Sequence, residues 1–275
     1  MSTNVLARDF NSRSKLIPGE ILGNSMCKQN LQEAIEPNQR LIVALDYPNA
    51  ELAEKVVTEL GDDVDFYKIG LQLLSTPEGF ALSKKLADKK KNIFLDYKFS
   101  DIGNTIRNAV NSVKQDRSVS FLTVMGDEEI VSSASSAAEG TKLKILAVTV
   151  LTTLTQPSLQ RMGIETSLKD FVLRKAELAK EAGAHGVIAS AHEILSLKEK
   201  FGPEFLVVTP GIRPWGTEAN DQKRTATPYE AISKGADYIV VGRPITQSDD
   251  PSDMAKKIID EIIAGREEFH SKTIA

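Results

Sequence analysis

Ile93-Phe94-Leu95-Asp96-Tyr97-Lys98-Phe99-Ser100-Asp101 opens on an apolar run and closes on alternating charge. It lies between amphipathic stretches at Phe80 to Lys89 and Ile102 to Lys114, so it reads as a strand framed by helices. In a strand the period of two sends Asp96 and Lys98 to one face, with Asp101 just past the strand in the following loop. Ionised groups leave water at a cost of several kcal/mol each unless they are paired. The run therefore holds either an ion-pair network or a site that uses one.

The same unit recurs outward along the chain. Apolar or β-branched runs stand at Leu41 to Asp46, Asp65 to Gly70, Phe121 to Gly126, Ile145 to Thr152, Gly186 to Ser190, Phe205 to Gly211 and Tyr238 to Gly242. Helical patterns alternate with them at Ala50 to Leu60, Leu168 to Ala182, His192 to Phe201 and Tyr229 to Lys234, and Met254 to Ile263 follows the last strand. Near-continuous apolar strands are buried on both faces, as in parallel sheets covered by helices. Eight such units in about 230 residues predict an α/β fold, a (β/α)8 TIM barrel, over residues 39–268. An open doubly wound sheet shares the alternation, but Leu45-Asp46-Tyr47-Pro48 follows the first strand in place of G-x-G-x-x-G. Residues 1–38 are polar and irregular apart from a short helical pattern at Lys28 to Ile35, and read as an N-terminal extension. Residues 269–275 read as a C-terminal tail.

Composition narrows the function classes. A net charge of -4 and a pI near 5.6 argue against a general nucleic-acid binder. The single cysteine, Cys27, excludes an intrachain disulfide framework and a Cys-rich zinc site, which fits a reducing compartment. No run approaches the roughly 20 apolar residues of a membrane span, and the N-terminus lacks a secretory apolar core. A cytoplasmic protein is the expectation.

Barrel active sites form where the strands end, so polar residues there gain a functional reading. Asp46 ends the first run, although before Pro48 it can also form a turn. Lys68, between apolar neighbours in the second, needs a carboxylate partner whether or not it does chemistry. Asp101 is an N-cap candidate for the helix beginning near Ile102, a role compatible with catalysis. Thr152 ends the fifth run. The seventh leads into Thr209-Pro210-Gly211-Ile212-Arg213 and the eighth into Gly242-Arg243-Pro244. Gly242 lets backbone N–H groups approach an anion and Arg243 offers a guanidinium fork, where barrels of this kind recurrently bind phosphate. Residues 213–223, with Trp215, Gly216, Asn220, Asp221 and Gln222 and no regular period, read as a long loop able to close over substrate.

These segments together resemble the orotidine 5'-phosphate decarboxylase family. The resemblance rests on Ala44-Leu45-Asp46, Tyr67-Lys68-Ile69-Gly70, the run from Leu95 to Thr105, Thr149-Val150-Leu151-Thr152, Thr209 to Arg213 and Val241 to Ile245, in the family's order. It implies decarboxylation of orotidine 5'-monophosphate to UMP, in pyrimidine synthesis, without metal or organic cofactor. It implies that Lys98 stabilises the developing carbanion and protonates C6, with Asp96 near the departing carboxylate and Lys68 and Asp101 completing an alternating chain of charges. It further implies a homodimer in which Asp101, Ile102 and Thr105 enter the neighbouring subunit's site. Asp46 would bind the ribose hydroxyls, Thr152 the pyrimidine edge, Gln222 the phosphate and base, and Gly242 with Arg243 the phosphate. The fourth run departs from the pattern, with Met125 where many relatives carry histidine, and it is assigned no role. Two other readings stand beside this one: a sugar-phosphate decarboxylase or aldolase of the same suprafamily, which would hold magnesium with a glutamate at the place of Lys68, and a catalytically silent nucleotide-binding barrel.

Overall fold

The computed structural model describes residues 35–217 and 225–274, so nearly all of the N-terminal extension, including most of the helix expected at Lys28 to Ile35, lies outside the described residues. A 3-10 turn at Pro37–Arg40 leads into β1 (Leu41–Ala44), followed by β2 (Phe66–Gly70), β3 (Asn92–Phe99), β4 (Val119–Met125), β5 (Lys144–Val148), β6 (Gly186–Ile188), β7 (Leu206–Thr209) and β8 (Tyr238–Val241). Each strand pairs in parallel with the next, and β1 pairs with both β2 and β8, which closes the barrel. The helices are α1 (Ala50–Leu60), α2 (Leu71–Leu74), α3 (Pro77–Asp88), α4 (Gly103–Val113), α5 (Glu128–Ala138), α6 (Gln156–Arg161), α7 (Leu168–Glu181), α8 (Ile194–Phe201), α9 (Pro228–Ser233), α10 (Arg243–Thr246) and α11 (Pro251–Ile274).

The first helix shows how local sequence sets an element. The Asn49 side chain accepts the Leu52 N–H at 3.1 Å, a cap of the kind that contributes about 1 kcal/mol, and Ala53, Val56, Val57 and Leu60 recur on the buried face. At Gly61 the backbone turns out of the helix at φ +51°, where a side chain would be strained. By contrast, α5 is absent from the sequence reading. Its buried face, Ile130, Val131, Ala134, Ala137 and Ala138, does recur at helical spacing, but past Val131 it consists of alanines among serines, which give the period little weight. The last helix continues past Ile263 and takes up residues 269–274, the segment read as a tail.

Alternation divides the strand side chains into two cores. One set packs outward under the helices, while Ile42, Phe66, Phe94, Phe121, Leu146, Val208 and Val240 fill the barrel. Four inward rings interlock: Phe66 lies 5.0 Å from Phe121, and Phe121 meets Phe94 at 5.9 Å and Tyr238 at 4.9 Å, the last two edge-on. Burial of each such side chain contributes about 1.5–3 kcal/mol. Two residues further along β2, β3 and β4, the same inward face carries Lys68, Asp96 and Thr123. The charged layer thus rests on an aromatic one.

One polar contact between strands is made by a histidine. The Nδ1 of His185 accepts the Ile145 N–H at 3.1 Å, joining the start of β5 to the residue before β6. Burial first and the Lys144 ammonium second lower the imidazole below the usual histidine range. As pH falls through about 6.5, unfolded chain takes up a proton that the folded chain resists, so stability is lost on that side. His185→Asn keeps an acceptor that does not titrate. It should flatten the fall in melting temperature between about pH 7 and about pH 5, and an unchanged slope would exclude this residue as a source.

Candidate active site

A cavity of about 750 Å³ opens at the carboxyl ends of the strands, a size suited to a small-molecule ligand. Ala44, Phe94, Val148, Ile188 and Val240 give it an apolar floor. Asp46, Lys68, Asp96 and Lys98 line it from β1 to β3, and Arg213, Gly242 and Arg243 line it from the ends of β7 and β8. In a closed ring of eight strands, β3 stands across from β7, so the ammonium of Lys98 and the guanidinium of Arg213 enter from opposite walls.

The charges form one alternating chain. Lys68 Nζ lies 2.8 Å from Asp46 Oδ1 and 3.6 Å from Asp96 Oδ2, and Lys98 Nζ lies 2.8 Å from Asp96 Oδ1. Asp96 is the buried link, with its side chain 13% exposed, whereas Asp46 is half exposed at the outer end. Burial would raise the Asp96 carboxyl, but the fields of Lys68 and Lys98, with hydrogen bonds from Lys98 and Thr123, outweigh it and hold the group below the usual aspartate range. The carboxylate therefore stays ionised well into acid. Within one chain Asp46 ends the series on the side of Lys68, and Asp101, expected from the neighbouring subunit, takes no part in it.

Asp96 and Lys98 meet, though not by simple strand periodicity. Leu95 pairs with Leu122 and Phe99 with Val124, so Asp96, Tyr97 and Lys98 stand opposite Thr123 alone. This bulge turns Lys98 to φ +53°, a conformation that costs a non-glycine residue about 1–3 kcal/mol. The Thr123 hydroxyl accepts the displaced Lys98 N–H at 3.0 Å, and the Tyr97 and Phe99 rings stack at 4.8 Å beside it.

Three contributors lie beyond the site residues that the sequence points to. Thr123 also donates to Asp96 Oδ1 at 2.8 Å. A hydroxyl within the otherwise apolar interior of β4 was the available signal. Gly70 lines the cavity, and a Cβ there would stand 2.7 Å from both Asp46 Oδ1 and Lys68 Nζ. The strand thus needs glycine because two side chains pair across that space. Arg213, buried and donating to its neighbour's carbonyl at Ile212 (2.8 Å), joins Arg243 on the cavity wall.

Of the remaining expected residues, Thr152 lines the cavity. Asp101, Ile102 and Thr105 are exposed and absent from its lining. Asp101 accepts the Ile102 N–H at 2.7 Å but is not the N-cap, which is Ile102; the first helical N–H, of Gly103, bonds to Glu129 Oε1 at 3.2 Å instead. Met125 is not among the lining residues and packs against the outer core. Gln222 and most of the expected closing loop fall outside the described residues. The base of that loop is tied by the Arg213 N–H to the Ala226 carbonyl at 2.9 Å.

Residues 39–258 match the family described as Orotidine 5'-phosphate decarboxylase / HUMPS. The chain belongs to the orotidine 5'-phosphate decarboxylase / HUMPS family. Among its relatives is an orotidine 5'-phosphate decarboxylase of Ruegeria pomeroyi, 49% identical over 230 residues, covering 82% of this chain and 94% of that protein. Another, of Caulobacter sp. strain K31, is 45% identical over 223 residues and covers 81% and 96%. The crystal structure of orotidine 5'-phosphate decarboxylase from Lactobacillus acidophilus superposes with a TM-score of 0.71 at 37% identity, over 81% of this chain and 98% of that one. Within the orotidine 5'-phosphate decarboxylase / HUMPS family, the Asp46-Lys68-Asp96-Lys98 chain is the feature of this member that carries a chemical reading. Among the described residues no helix is long and apolar enough to cross a membrane.

Proposed function

We propose that this chain decarboxylates orotidine 5'-monophosphate to UMP and CO2, without metal or organic cofactor. The observation that carries the reading is the position of Lys68, whose ammonium lies 2.8 Å from Asp46 and 3.6 Å from Asp96. A divalent cation held by those two carboxylates would have to share the space with a positive charge, and the ammonium supports the decarboxylase over a magnesium-dependent sugar-phosphate enzyme.

The chemistry follows from the charges. The bond from C6 to the carboxylate breaks, CO2 leaves, and the electron pair stays on C6. Lys98, already charged and held by Asp96, stabilises that pair and then donates its proton to C6, leaving a neutral amine that solvent reprotonates. Asp96, ionised beside the departing carboxylate, adds ground-state repulsion relieved as CO2 leaves. Lys68 keeps Asp96 charged and links it to Asp46, whose exposed end suits ribose hydroxyls. Thr152 faces the pyrimidine edge. Gly242, Arg243 and Arg213 take the phosphate, and Gln222 is the residue assigned to phosphate and base, so that binding energy remote from C6 stabilises the transition state.

The site is completed in a homodimer, with the partner subunit's Asp101, Ile102 and Thr105 supplied across the interface. Their exposure and their absence from this chain's cavity support that arrangement. With one cysteine in the chain, the cytoplasm is the compartment we assign. The test is the loss of orotidine 5'-monophosphate absorbance with purified protein, with and without EDTA. Equal rates are expected, while turnover abolished by EDTA, or tight binding without turnover, would remove the reading.

A further inference from the structure

We propose that Thr123 is a positioning residue of this site, and that its hydroxyl sets the backbone and carboxylate geometry from which Lys98 acts. The inference rests on the decarboxylase reading and extends it to a residue that does not line the cavity.

Thr123 is fully buried on β4 and is the one residue of that strand opposite three of β3. Its hydroxyl has one proton, which goes to Asp96 Oδ1 at 2.8 Å, and it accepts the Lys98 N–H at 3.0 Å. Donor and acceptor roles are both used, so the group has one orientation. The two bonds fall on the two residues whose side chains meet at 2.8 Å. One steadies the carboxylate that holds the ammonium. The other satisfies a backbone N–H that the bulge has taken out of the ladder and that sits in a left-handed conformation.

Valine has nearly the same shape as threonine and neither function. In its place the Lys98 N–H loses its acceptor and Asp96 loses a donor, with the packing of β4 preserved. The left-handed turn at Lys98 then has less to hold it, and the ammonium drifts from the place where C6 must receive its proton. A misplacement of about 1 Å in a reacting group costs on the order of 10²-fold in rate.

The test compares Thr123→Val and Thr123→Ser with wild type, rates being referred to folded protein. Thr123→Val should lower kcat about 10²-fold with KM within about threefold, because the phosphate and ribose contacts are untouched. Thr123→Ser, which keeps the hydroxyl, should remain within about fivefold of wild type. A valine variant with wild-type kcat, or a serine variant as slow as valine, would overturn the proposal, the latter by tracing the effect to the lost methyl. Amide exchange supplies a readout that needs no substrate: the Lys98 N–H should be protected in wild type and exchange at least about tenfold faster in Thr123→Val. Equal exchange would also overturn the proposal. Wild-type turnover, measured in parallel, tests the decarboxylase reading alone.

Discussion

Lys98→Ala is expected to lower decarboxylation by at least about 10⁴-fold while leaving the fold and nucleotide binding largely intact. Two losses compound in this variant. The electron pair left at C6 has no ammonium to stabilise it, and no proton donor stands beside it. Water can enter the space, but it carries no fixed charge and must reorient as the bond breaks. The fold should survive because Lys98 is 35% exposed and the Asp96 carboxylate retains Lys68 and Thr123 as partners. The left-handed conformation at position 98 is no better for alanine, so the backbone gains no relief. Single-turnover absorbance, UMP affinity and melting temperature separate these effects. Turnover within about tenfold of wild type would exclude Lys98 as the proton donor.

Much of this arrangement is legible in the chain. Alternation of apolar strands and amphipathic helices suffices for the barrel because every strand is buried on both faces and every unit repeats the same solution. Strand ends are less sharply written. Residues 145–152 form one apolar and β-branched run, yet β5 stops at Val148, where neighbour pairing stops. The bulge at Asp96 to Lys98 is invisible locally, since it consists of a register between β3 and β4. Strand periodicity accounts for only half of the Asp96–Lys98 pair: Asp96 faces inward with Phe94, but Lys98 arrives through a left-handed turn held by Thr123. The need for glycine at position 70 is likewise spatial, because the obstruction is the salt bridge between Lys68, two residues earlier on the same strand, and Asp46 just past β1.

The layering beneath the charges explains why the network is worth its desolvation. Phe66, Phe94, Phe121 and Tyr238 close the barrel below it, so Asp96 has little access to water except through the cavity mouth. An isolated carboxylate there would be protonated or strongly destabilising. Lysines on both sides keep it ionised, and each lysine in turn depends on it. Removing one member exposes the others' unbalanced charge, so single substitutions in this set should be far from additive.

Mixing two inactive variants should restore activity, and this is the strongest test of where Asp101 acts. Lys98→Ala removes a group that the structure places in the chain's own cavity. Asp101→Ala removes one that is exposed and lies outside that cavity. If each site combines its own Lys98 with the partner subunit's Asp101, both variants are nearly inactive as homodimers. In a mixed dimer, one site has lost both groups while the other retains both. Random reassortment makes about half the dimers mixed, and half of their sites intact, so activity should recover to about one quarter of wild type. That is a rise of several orders of magnitude over either variant alone, measurable after the mixed chains are unfolded and refolded together. If Asp101 instead served its own chain, the mixed dimer would contain one site lacking Lys98 and one lacking Asp101. Activity would then stay at the level of the parent variants, and the shared-site dimer would be excluded.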